Sequence, residues 1–163
     1  MLENIQETLF QIRDTLISDD ELRKLIYNDS NNALELDAPS KEEVSDYFSL
    51  APIFEFNTEA GYDHSCGITL VLTQLDEGED IEEVSATLVV NVIVNNEKWS
   101  LTNKKVRPLA IIDRITSLLL NKKFSVATPL EFRGASNLIL TKQISGYALT
   151  FGVLDGSAEI ENF

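Results

Sequence analysis

Basic side chains are scarce in this 163-residue chain, with 13 Lys and Arg against 27 Asp and Glu and a net charge of −14. A protein that holds duplex nucleic acid needs a net basic face to release counterions, so that class of partner is excluded as the main one. Cysteine is nearly missing: Cys66 stands alone, which rules out an internal disulfide and suits a reducing compartment. Histidine is reduced to His64. The start, Met1-Leu2-Glu3-Asn4-Ile5, has no basic run ahead of an apolar one, so it does not read as a signal peptide. No uninterrupted apolar stretch approaches the ~20 residues of a membrane-spanning helix. What is present is ordinary globular material. A hydrophobic content of 44% over this length supports a real core, expected as a single α+β domain over 1–163.

The charges are sorted along the chain. Residues 1–97 hold 22 acids and 4 bases, whereas residues 98–142 hold nine bases against Asp113 and Glu131. Such a chain can carry one acidic and one basic surface, and identical copies can dock one onto the other head to tail. The plainer reading is that the acids are solvated and keep the protein soluble.

Leu2, Ile5, Leu9, Ile12 and Leu16 recur at steps of three and four, which predicts a helix over 3–17. Ser18 and Glu21 have capping-box spacing ahead of a short amphipathic turn through Leu22, Leu25 and Ile26. The Asn28–Asn32 run stops it. A second box, Ser40 with Glu43, predicts a short helix inside an otherwise irregular stretch, with polar loops near 28–49 and 76–83. Strands are predicted at 53–56, 67–73 and 84–94, with a polar loop over 57–67. In the third, Ala86, Leu88, Val90, Val92 and Val94 share one face, and the opposite face is partly apolar. Six acids in the eight residues 76–83 predict a solvated hairpin loop. After a turn at 95–97, Pro108 opens a second long helix carrying Leu109, Ile111, Ile112, Ile115, Leu118 and Leu119. Two to three strands, at 130–133, 138–142 and 147–154, with Gly134, Gly146 and Gly156 as turns, close the chain. Consecutive strands with short links imply a mostly antiparallel sheet with two main helices packed on it.

Chemistry-bearing patterns are thin. His64 and Cys66 lie two residues apart at the end of a loop, with no second His or Cys to complete a metal tetrad. The acidic run 76–83 lacks the spaced oxygen ligands of a calcium loop. No phosphate-cradling glycine loop and no Gly-x-Ser-x-Gly elbow occurs. No enzyme, metal or cofactor is expected. The candidate functional residues are those of an interface. Trp99, between Lys98 and Ser100, is either an anchor for a partner or a cover over the sheet edge. Lys104, Lys105 and Arg107 precede the second long helix, where positive charge opposes the helix dipole by a few tenths of a kcal/mol. An acidic neighbour or a phosphate would compensate that cost.

The layout resembles the tail terminator (tail completion) proteins of tailed bacteriophages. The likeness is carried by Leu88-Val89-Val90-Asn91-Val92-Ile93-Val94, by Arg107-Pro108-Leu109-Ala110-Ile111-Ile112-Asp113-Arg114-Ile115, and by the closing Gly146-Tyr147-Ala148-Leu149-Thr150-Phe151. It spans about residues 3–154, apart from the long polar stretch 28–49. The resemblance implies an α+β subunit of a homo-oligomeric ring, typically a hexamer, without catalytic residues or cofactor. Such a ring caps the tail tube and joins it to the head-tail connector, so the expected partners are tube and connector proteins. Nucleic acid at most passes through the ring. The expected location is the neck and tail of the virion, after assembly in the host cytoplasm. The alternative is a monomeric neck or adaptor module with an acidic interaction surface.

Overall fold

The computed structural model describes residues 2–50, 66–77, 84–120, 122–126 and 128–155. The chain forms helices α1 (Glu3–Ile17), α2 (Asp20–Tyr27), α3 (Lys41–Val44) and α4 (Arg107–Leu120). Its strands are β1 (Phe48–Ser49), β2 (Cys66–Glu77), β3 (Val84–Asn95), β4 (Glu131–Ile139) and β5 (Ile144–Asp155). They make one sheet in the order β1-β2-β3-β5-β4. Every neighbour is antiparallel except the short β1–β2 pair. This is the α+β architecture expected from the sequence. The strand expected at 53–56, most of the loop before Gly67, and the acids at 78–83 lie outside the described residues.

The helices cover the sheet face that carries Ile68 and Leu70 of β2, Leu88, Val90 and Val92 of β3, and Leu149 and Phe151 of β5, all buried in one core. Each side chain fully removed from water there contributes about 2 kcal/mol. From α1 the core takes Ile5, Ile12 and Leu16, while Leu2 remains 44% exposed. From α4 it takes Pro108, Ile111, Ile115 and Leu119. Leu109, expected on the buried stripe, is exposed, because the helix starts at Arg107 and its core face is centred on Ile111 and Ile115.

Several local expectations need correction. The N-cap of α2 is Asp19 rather than Ser18: Asp19 has extended backbone and accepts from the Leu22 N–H, whereas Ser18 is still helical and closes α1. The Ser40–Glu43 box is present with both of its hydrogen bonds. The 28–49 segment is not simply a polar loop. It holds α3, β1 and two 3-10 turns, and buries Ala33, Val44 and Phe48.

Arginines hold that segment by its carbonyls. Arg13 donates to Ser45 and Phe48, Arg23 to Pro39, and Arg107 to Ser30. A charged donor on a backbone carbonyl contributes about 1.5–3 kcal/mol, enough to order a stretch with few apolar anchors. The acids Asp76 and Glu77 belong to β2, paired with Ser85 and Val84, so the hairpin loop is shorter than expected.

Of the two to three closing strands expected, the structure has two, and the segments 130–133 and 138–142 fall largely within one strand, β4. Gly134 is not a turn. At φ 127° it sits at a register shift inside β4, a bulge conformation that L side chains rarely adopt. Gly146 is likewise within β5, opposite Ile93, where a Cβ would lie 1.7 Å from the Val92 carbonyl oxygen. The turn falls instead after Ile139, where the Leu140 and Thr141 N–H groups both donate to the Ile144 carbonyl.

Candidate functional site

The register places the two ends of the sheet under opposite charge. One end is defined by Val94 opposite Cys66 and Ser145, the other by Val84 opposite Glu77 and Asp155. Ten residue steps along β3 separate them, about 33 Å.

At the first end β3 runs into a 3-10 turn, Asn96–Lys98. The Asn96 N–H donates to the Gln143 carbonyl and its Nδ2 to the Lys142 carbonyl, which draws the β4–β5 turn alongside. The chain then folds back on itself. Ser100 bridges Val106, the Leu101 N–H donates to Lys105 O, and Asn103 and Lys104 both take positive φ at the tip. Lys98, Lys104, Lys105 and Lys142 are thereby gathered at one end of the molecule, with Glu97 among them. Among the described residues none of these lysines is in an ion pair. Lys142 was not singled out from the sequence. It lies 44 positions after Lys98, and only the β4–β5 turn brings it there.

The other end carries Asp76 on β2, Glu131 on β4 and Asp155 on β5. Asp76 accepts from Gln74, and Glu131 stands 3.9 Å from Arg133. Asn4 donates to Asp155 at 3.1 Å, which fixes the start of α1, with Glu3, at the same end. Nothing local in the sequence places Glu131 and Asp155 at the same end of the sheet as Asp76.

Two of the candidate interface residues face inward. Arg107 is 1% exposed, and its guanidinium donates to the carbonyls of Lys98, Leu25 and Ser30. Burial lowers its pKa, while the nearby Cys66 and Asp29 act in the opposite sense. Buried in this way and spending all three of its nitrogens on these carbonyls, Arg107 is a strut joining α2, the Ser30 loop and the base of the lysine hairpin. Trp99 is half-buried. Its ring lies 6.1 Å from Tyr147 and its Nε1 donates to the Val94 carbonyl at 3.3 Å. It covers the sheet end instead of projecting from it.

The acidic and basic segments also meet inside the molecule, at Asp19 and Arg114. Arg114 of α4 grips both carboxylate oxygens of Asp19 at 2.8 and 2.6 Å, with Glu21 at 3.3 Å. Burial tends to raise the Asp19 pKa, but the Arg114 and Leu22 hydrogen bonds outweigh it and hold the carboxyl below its ordinary value. Among the described residues the lysines at the sheet end form no such ion pair.

Elsewhere the chemistry is quiet. The Cys66 thiol is fully buried, and loss of solvation pushes its pKa up to about 12, so no thiolate nucleophile forms near neutral pH. His64 lies outside the described residues. An open groove between α1 and the end of α4 is lined by Gln11, Asp14, Thr15, Lys122 and Phe124, and within it Lys122 is already bonded to Thr15. Among the described residues no helix is long and apolar enough to cross a membrane, and no acid, His or Cys cluster is placed to hold a metal ion.

Comparison with known proteins gives one family. The family model described as YomW matches residues 19–153, from the α2 cap to near the end of β5. No curated protein matches the chain.

Proposed function

The chain belongs to the YomW family, whose name points to a phage or prophage origin, and we propose that it is a non-enzymatic structural subunit of a phage particle that closes into a ring by head-to-tail contacts. In this reading the ring, a hexamer as the resemblance to tail terminator proteins implies, terminates the tail tube and joins it to the head-tail connector. The observation that supports it is the opposite charge on the two ends of the sheet. Lys104, Lys105 and Lys142 are exposed and Lys98 is half-buried at one end, and Asp76, Glu131 and Asp155 stand at the other. A contact between unlike ends is heterologous, and heterologous contacts close into rings when the rotation per subunit allows it. Exposed charge pairs are screened beyond about 10 Å at 0.1 M salt, so an assembly guided by them loosens as salt rises.

The test is analytical ultracentrifugation of the full chain at neutral pH across a salt series. The expected result is a closed oligomer at low salt that dissociates towards 1 M NaCl. Lys104→Glu combined with Lys105→Glu is expected to abolish it without loss of secondary structure. A monomer at high protein concentration and every salt level would refute ring formation and favour the adaptor reading.

A further inference from the structure

Strand β4 lies at the edge of the sheet, and among the described residues it is paired on one side only. Which backbone groups point away from the sheet follows from one hydrogen bond. The Leu140 N–H donates to Ile144 O at 3.0 Å, and this pair continues the register of Ile139 with Ser145. In an antiparallel ladder, residues bonded inward alternate with residues that turn outward. Leu138 and Ser136 therefore bond towards β5, and Ala135, Asn137 and Ile139 aim their N–H and C=O groups off the edge. Natural edges are blunted by charges, prolines or bulges. Here Glu131, Arg133 and the Phe132/Gly134 irregularity guard the first part of β4. From Gly134 to Thr141 there is no charge and no proline. Ile139 is 77% exposed, the most of any large hydrophobic side chain among the described residues.

We propose that this edge pairs with the same edge of a second copy, antiparallel, with Asn137 on the twofold axis. Outward-facing residues must meet outward-facing residues, which puts the axis on a residue, and the outward set Ala135, Asn137 and Ile139 is paired in full only when its midpoint Asn137 lies there; an axis at Ser136 or Leu138 sets one of them against the bulge or the β4–β5 turn. An axis at Ala135 runs into the bulge, and one at Ile139 runs into the β4–β5 turn. With the axis at Asn137, Ala135 faces Ile139, Ser136 faces Leu138 and Gly134 faces Leu140. Each of these pairs sets a small side chain against a large one, so the segment is complementary in size to its own reverse. Asn137 meets its own copy, where two amides can bond each other. The outward groups supply about six backbone hydrogen bonds across the contact. Such a contact is isologous and closes on two copies, leaving the charged ends of both sheets open. It does not depend on the ring reading.

Cysteine cross-linking tests the register, because Cys66, the only native thiol, is 2% exposed. Opposed Cα atoms in a hydrogen-bonded pair stand about 5.5 Å apart, within disulfide reach. Asn137→Cys is expected to give a disulfide-linked dimer on mild oxidation. Ala135→Cys alone is not, whereas a mixture of Ala135→Cys and Ile139→Cys is expected to yield the mixed dimer. Ile139→Lys is expected to weaken dimerisation about tenfold or more in sedimentation equilibrium with the circular dichroism spectrum unchanged. The proposal is overturned if Asn137→Cys links no faster than Ala135→Cys, or if Ile139→Lys leaves dimerisation as it was. Adding Lys104→Glu and Lys105→Glu to Asn137→Cys is expected to leave the cross-link intact, so failure of the ring reading and failure of this contact are told apart.

Discussion

Replacing Arg107 with Met is the sharpest test of how the lysine-bearing end is held. The guanidinium makes charge-assisted hydrogen bonds to the carbonyls of Lys98, Leu25 and Ser30. Individually such bonds contribute about 1.5–3 kcal/mol, but they are not additive, and deleting the charge also removes its own desolvation cost. A net loss of about 3–4 kcal/mol is expected, a large share of the 5–15 kcal/mol that holds a typical domain together. With a urea slope of about 2 kcal/mol/M, the midpoint should fall by about 1.5–2 M. Arg107→Lys keeps the charge, but a single ammonium cannot span three carbonyls on different segments, so it should recover only part of the loss. Hydrogen exchange adds a local readout. The Thr102 N–H donates to the Asn31 carbonyl beside the Arg107 clip, and its protection should collapse while that of β3 persists. If Arg107→Met costs less than about 1 kcal/mol, or Arg107→Lys restores full stability, the strut assignment is wrong.

Asp19 separates cap from ion pair. Asp19→Asn keeps an acceptor for the Leu22 N–H and should cost about 1 kcal/mol, since Arg114 is 36% exposed and solvent screens the pair; Asp19→Ala should cost about 1 kcal/mol more. Because the folded carboxyl titrates below its ordinary value of 3.8, the ion-pair contribution is fully present above that pH and fades as pH falls through the folded value. Urea melts of wild type and Asp19→Asn should therefore converge in acid, and a gap that stays constant from pH 7 to pH 2 would contradict the assignment. Gly146→Ala should destabilise by about 3 kcal/mol in the same assay, because a Cβ 1.7 Å from the Val92 carbonyl forces β5 away from β3.

Much of the scaffold was legible from local pattern. The apolar spacing in α1, the alternation in β3 and the Ser40–Glu43 box each act within a few residues, so the chain's own periodicity specified them. The misreadings share a cause. Gly134 and Gly146 resemble turn residues locally. One instead supplies a bulge conformation and the other makes room for the Val92 carbonyl of a neighbouring strand, and neither requirement is visible before the strands are paired. Arg107 looked like an exposed cation because its acceptors are remote.

The sequence by itself determined the element types, the sorting of acids before bases, and the uncharged run that became the edge of β4. Tertiary structure alone decided which charges remained available. It turned Arg107 inward to carbonyls 82 and 77 positions away, paired Arg114 with Asp19, and brought Lys142 beside Lys98. The physical reason is range. Backbone sterics and side-chain periodicity act over a turn or a pleat, whereas the burial or exposure of a charge is set by whatever distant segment the closed sheet and its helices bring against it.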